Sequence, residues 1–351
     1  MKKLYTLLTF ALLFTVVFRA DAQYDQLIKS SPADVTKLLQ AYGEPLFKGF
    51  GTSLNGGWNN TAQTKKFLHF DLRISASAAF VPISDQSFDV SKLTFNHLQI
   101  DPASPTNIAP TIGGNKSGAT PLMRVTDNNG APIPGSSFSL PKGQTSIIPA
   151  PNIQLTIGIF KNTDLTIRTT PTINISSDIG SVSVLGFGLK HDIIQDFAGK
   201  APKPFDLAIA VNYNRVNYDK TLNIQPPSGS QPAPGTSAAD FSTQSIDSHF
   251  SGLDIEGIIS KRLLFFTPFF SAGYQSATTD FSLLGNYAIT STQYGSTFYT
   301  TINNPVHINE TSISGLRADA GFQLNLSIVR FYASYSIAPY QSFNAGMGFG
   351  F

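Results

Sequence analysis

The sequence predicts an all-β fold: a transmembrane antiparallel β-barrel of about 10–14 strands preceded by a short helix. Three observations carry that reading. Residues Phe343 to Phe351 place Phe, Ala, Met, Phe and Phe at odd positions and only Asn or Gly between them. That is the alternation of a membrane-crossing strand with one greasy face and one small face. The same period of two recurs from Leu68 onward. Finally, charged residues are 13% of the 351 and aromatics 12%, with 28 Phe and 12 Tyr; soluble domains carry roughly 25% charged residues.

The first 22 residues have the form of a secretory signal. Lys2 and Lys3 precede an apolar run from Leu4 to Phe18, and Ala20-Asp21-Ala22 fits a small-residue cleavage site. Cleavage after Ala22 removes Lys2, Lys3, Arg19 and Asp21. The formal charge of +2 then falls to zero, which excludes the basic excess of a nucleic-acid partner. There is no cysteine, so neither a disulfide nor a thiol site is available.

Residues 23–48 form the predicted helical segment, either a plug in the lumen or a periplasmic lid. Ser31 suits an N-cap, Pro32 the first helical position and Asp34 the first turn. Leu38, Leu39 and Tyr42 share a face with Val35 and are the residues expected to fill a lumen. Gly43 is expected to end the helix.

Residues 49–351 are assigned to the barrel. The segment from Lys48 to Trp58 reads either as a further strand or as part of the plug. Leu68, Phe70, Leu72, Ile74 and Ala76 alternate with polar residues, and so do Ile153 to Ile159, Phe205 to Tyr213, Leu253 to Ile259, Leu316 to Leu326 and Phe331 to Ile337. Counting back from a final strand that runs toward the periplasm makes 327–330 and 260–262 tight inner turns. It makes 219–244 and 277–311 long outer loops, the asymmetry of such barrels. Residues 81–151, rich in Pro, Gly, Asn and Ser, form a long outer insert expected to fold over the mouth.

Four segments resemble an uncharacterised family of Gram-negative outer-membrane proteins. They are Gly49 to Trp58, Ile153 to Arg168, Gly186 to Ile193 and Pro204 to Leu207, and the likeness covers nearly the whole mature chain. The resemblance implies a place in the outer membrane and no established activity. It also implies contact with outer-membrane lipid and with the barrel-assembly machinery, for which the terminal aromatic Phe351 would be the signal. The layout, a helical N-terminal region before a barrel, is similar to that of long-chain fatty-acid transporter barrels. That likeness implies small apolar molecules as cargo.

The residues that chemistry would use are few. Five histidines (His69, His97, His191, His249 and His307) lack metal-ligand spacing, so neither a metal nor a cofactor is expected. Ser248-His249 and His69 near Asp71 are parts from which a hydrolase is built, but catalytic residues are not expected. The lumen-facing charges Asp71, Arg73, Arg168, Asp254, Glu256, Arg317 and Asp319 are the transport candidates. Both signs occur, and mutual pairing around a plug is the expectation. Pro268, with Phe266 and Phe270 beside it, marks an expected opening in the wall, since proline removes a ladder donor. Passive passage or binding of small apolar molecules is the leading expectation. The alternatives are a closed barrel that docks an envelope or secretion partner, and an envelope-modifying hydrolase.

Overall fold

A computed structural model describes residues 30–176, 180–198, 203–293 and 296–350. The predicted leader and Phe351 lie outside them.

Ten strands close into an antiparallel barrel. They are β1 (Phe70–Phe80), β2 (Ile147–Phe160), β3 (Thr163–Ser176), β4 (Gly180–Asp192), β5 (Asp206–Thr221), β6 (Ser245–Ser260), β7 (Phe266–Leu284), β8 (Val306–Leu326), β9 (Val329–Ile337) and β10 (Ser342–Gly350). Each pairs with its sequence neighbours. The closing seam runs from Asp71 opposite Gly350 to Ala79 opposite Ser342. Full closure leaves no unpaired edge, which a lipid environment requires. Tight turns join β2 to β3 and β8 to β9, where Asn162 and Ser327 take positive φ. A short helix, α2 (Ile194–Ala198), lies in the β4–β5 connection at the same end.

The outer faces of β5 to β8 change character partway along. On β5, Ile209, Val211 and Tyr213 give way to Arg215, Asn217 and Asp219. On β6, Ile259, Ile255 and Leu253 give way to Ser251, His249 and Asp247. On β7, Phe270, Ala272 and Tyr274 give way to Ser276, Thr278 and Asp280. On β8, Leu316 to Leu324 are apolar on the face where Asn309 and His307 are polar. The inner face does the reverse: Val216, Tyr218, Ile246, Phe250, Phe281 and Ile308 are buried there. One half of the barrel is therefore polar inside and apolar outside, as lipid demands. The other half is apolar inside and polar outside, as water demands. The strands run on through what alternation alone assigned to the outer loop 277–311. On β5 to β7 the period holds and only the content of the two faces changes; on β8 the register shift opposite Ala277/Thr278 moves the outer face from odd to even positions as well.

The helix α1 (Pro32–Asn55) lies inside the barrel. It continues past Gly43 and through Pro45, so Lys48 to Asn55 belong to the helix and not to a strand. Pro45 takes a hydrogen bond out of the helical ladder. In the same stretch the Ile112 N–H donates to the Tyr42 carbonyl at 2.9 Å, so the insert is stitched to the helix. Glycines permit the helix to approach the wall: a Cβ on Gly51 would stand 2.7 Å from that of Ala277. Among the described residues no helix is long and apolar enough to cross a membrane.

The 81–146 connection folds into small sheets (87–89 with 108–110; 98–100, 122–125 and 138–139) over the mouth. Two antiparallel strands, Asn286–Gln293 and Ser296–Asn303, cover another sector, with 231–232 beside the second. Val35, Leu38, Leu39 and Tyr42 of α1, Leu98, Met123 and Phe138 of the insert, and the inward apolar side chains of the upper wall form one dry core. Phe47 and Phe50 meet Phe250 edge-on or tilted, with centroids 6.5 and 4.8 Å apart.

Candidate functional site

The C-terminal end of α1 lies in the polar half of the lumen. A helix end leaves carbonyls without intrahelical partners and concentrates negative potential there. The last turn of α1 has no basic residue of its own. The wall supplies three arginines instead. Arg168 donates to the Leu54 carbonyl at 2.8 Å and the Gly56 carbonyl at 3.1 Å. Arg317 donates to the Asn55 carbonyl at 2.5 Å. Arg73 reaches the Gly57 and Trp58 carbonyls, each at 3.2 Å.

The carboxylates among the sequence candidates stand on the same layer. Asp319 accepts from Arg317 at 2.9 and 3.0 Å. Asp254 accepts from Asn212 at 3.0 Å, and Glu256 from Asn59 at 2.9 Å. Asp71 faces Arg330 at 2.6 Å, Arg73 at 3.6 Å and Lys65 at 3.9 Å. Asp164, further round, faces Lys190 at 3.3 Å. All seven lumen candidates are buried. Such charges are costly unless paired and hydrogen-bonded, and the plug supplies much of the pairing.

Residues the sequence did not single out complete this layer. The Arg168 guanidinium lies 3.7 Å from the centroid of the Trp58 ring. A Cβ on Gly188 would come within 3.3 Å of that ring, so the Gly186-Phe187-Gly188 stretch is a slot for the indole. Trp58 is the chain's only tryptophan; only the fold reveals which glycines it faces.

Other candidates fall elsewhere. Pro268 is the third residue of β7, close to the tight-turn end. It pairs with Phe322 in an unbroken run, and the register shift in that ladder lies at Ala277/Thr278 instead. Phe266 and Phe270 are on the outer face, while Phe269 is inside against Ala62, Ala208, Ala210 and Ile258. Tyr213, Tyr274 and Tyr335 face outward; Tyr218, Tyr332 and Tyr340 are buried. Ser248 is buried on the inner face and His249 is on the outer, so these neighbours do not form a catalytic pair.

The His191 Nε2 lies 2.8 Å from Asp196 and its Nδ1 lies 2.9 Å from the Thr163 hydroxyl. That hydroxyl also donates to the Lys161 carbonyl at 3.0 Å. The hydrogen bonds from His191 and then Asn162 hold the Asp196 carboxyl below its usual range.

Below the plug, the tight-turn end opens into a cavity of about 780 Å³. Lys65, Lys66, Lys161, Arg262 and Arg330 line it, with Phe67, Phe160, His69 and Asn162, and no carboxylate is among its lining residues. Lys65 is pushed down to about 8, chiefly by burial, with Asp71 opposing the shift and Arg330 and Lys190 adding to it.

The chain belongs to a family of unknown function, DUF6588, whose model matches residues 1–351. None of the curated proteins matches it. Among solved structures it is similar to the attachment invasion locus protein Ail of Yersinia pestis (9% identity, 81% of this chain and 100% of that one, TM-score 0.25). It is also similar to the outer membrane protease OmpT of Escherichia coli (8%, 83% and 100%, TM-score 0.32) and to a FadL homologue of Pseudomonas aeruginosa (11%, 84% and 91%, TM-score 0.22).

Proposed function

We propose that this protein is a closed outer-membrane barrel of a Gram-negative cell, a binding or docking platform whose lumen conducts nothing. The observation that carries the reading is the seating of α1. Its upper face belongs to the same dry core as the wall and the cap, and its lower end is held by Arg73, Arg168 and Arg317. Withdrawing such a plug would expose that core and leave three buried guanidiniums without their carbonyls, at a cost of several kcal/mol. The folded cap then faces the cell exterior and the cationic cavity faces the periplasm. Export by the 1–22 leader and handling by the assembly machinery through Phe351 are part of this reading. Passage of small apolar molecules has less support, because Pro268 lies in a continuous ladder.

Planar-bilayer recordings and liposome-swelling assays of the full-length protein test the proposal. A closed lumen gives no conductance steps and no swelling with small sugars. Reproducible steps that disappear on heat denaturation would overturn it.

A further inference from the structure

We propose that the periplasmic cavity is a binding site for a phosphate-bearing anion. The inference rests on the closed-lumen reading, which makes this cavity a blind pocket and not the funnel of a pore.

Three features point to an anion. Five cationic side chains from four separate segments converge on one concavity: Lys65 and Lys66 before β1, Lys161 in the β2–β3 turn, Arg262 in the β6–β7 turn and Arg330 at the start of β9. The negative groups nearby are otherwise engaged. Asp71 is shared by Arg330, Arg73 and Lys65. Asp164 holds Lys190 and the Lys65 backbone N–H. Asp196, near the rim, is held by His191 and Asn162. No ion pair joins Lys66, Lys161 or Arg262 to a carboxylate among the described residues. Lys65 and Arg330 share Asp71, and Lys66, Lys161 and Arg262 add cationic charge without a direct ion pair in a concave site, where field lines focus. Phosphate matches this set better than a single carboxylate does, because arginine forks and lysine point charges together satisfy several oxygens.

The rim bears on where the phosphate comes from. Each segment sets an exposed apolar side chain beside its cation: Phe67 beside Lys66, Phe160 beside Lys161, and Leu263 and Leu264 beside Arg262. Ile328, two residues before Arg330, is exposed as well. A lipid headgroup would find both halves of its chemistry here; a soluble phosphate would use only the cations.

The test uses the full chain in non-ionic detergent at low ionic strength, titrated with inorganic tripolyphosphate by calorimetry. Saturable binding is expected. The combined variant Lys66→Gln, Lys161→Gln, Arg262→Gln removes cations without touching the ion pairs of Asp71 and Asp164, and it should weaken binding roughly tenfold or more. Retained heat-modifiable migration confirms that the variant is folded. Competition by short-chain phosphatidylglycerol, but not by the phosphocholine analogue, assigns a lipid headgroup; absence of competition assigns a soluble phosphate. No saturation, or unchanged affinity in the folded variant, overturns the proposal. Failure of the closed-lumen reading shows separately, as conductance.

Discussion

Arg168 on β3 donates a 2.8 Å hydrogen bond to the carbonyl of Leu54 on the plug helix, across 114 residues of sequence. The same guanidinium also reaches Gly56 and Gln154 and stacks on Trp58. A cation buried in the lumen of a lipid-embedded barrel is stable there because a helix end presents its orphan carbonyls to it. The arginine and the plug therefore require each other.

Replacing Arg168 by Met leaves Asn214 still donating to the Leu54 carbonyl at 3.3 Å, but it strips the buried Gly56 carbonyl and the Gln154 Oε1 of their donor. The expected loss is about 3 kcal/mol, from roughly 1–3 kcal/mol per orphaned group. Arg168→Lys keeps the charge but loses the fork and the stacking, and should fall between the two. Reversible urea unfolding in detergent, followed by tryptophan fluorescence of Trp58, reads both.

Plug and wall touch closely at Gly51. A methyl added there meets the Ala277 Cβ at 2.7 Å and Ile313 at 3.5 Å, and neither lies at the end of a long flexible chain. Gly51→Ala should cost about 1–3 kcal/mol by overpacking, lessened by the better helix propensity of alanine. Gly315→Ala, where nothing lies within 4 Å, should stay within about 0.5 kcal/mol. Thermal gel-shift midpoints of the two variants give the comparison.

The change of polarity along β7 sets the membrane boundary. Phe270→Arg puts a charge on the lipid face and should cost about 2–4 kcal/mol. Thr278→Arg, eight residues on and on the same outer face, should cost about 0–1 kcal/mol. Equal costs for the two, measured by denaturant titration in lipid vesicles, would remove the boundary from β7.

Lys65 carries a pH signature. Its folded value, about 8, lies below the ordinary 10.5, with burial the main cause. Between those values the unfolded chain binds more protons than the folded one, so stability rises with pH over that window. Below about 8 both states are protonated and the desolvation penalty is fully present. Lys65→Gln should flatten the rise between pH 8 and 10.5, as measured by unfolding midpoints across that range.

Much of the barrel was legible because lipid imposes a period of two that Leu72, Leu207 or Leu316 announce locally, although the run read from Leu68 starts only at Phe70, since Leu68 sits in a turn at φ 64°. The seven lumen charges were legible for the same reason: they sit on the polar phase of those strands. The extent of α1 was not. Gly43 and Pro45 carry the local marks of a helix end, and burial against the wall and the Ile112 hydrogen bond override them. The reversal at Tyr213/Arg215 was hidden because Val216 and Tyr218 keep the alternation while changing what each face meets. The cationic cavity was illegible in principle. Lys65, Lys161, Arg262 and Arg330 are ordinary turn residues until closure of the barrel gathers them.

Hydrogen exchange of the α1 amides in the intact protein tests the central claim, that this helix is a permanent part of the core. Amides from Val35 to Asn55 should exchange as slowly as those of the neighbouring strands β5 to β8. Rapid exchange along α1, while those strands stay protected, would show a plug that leaves its seat, and the closed barrel would have to be abandoned.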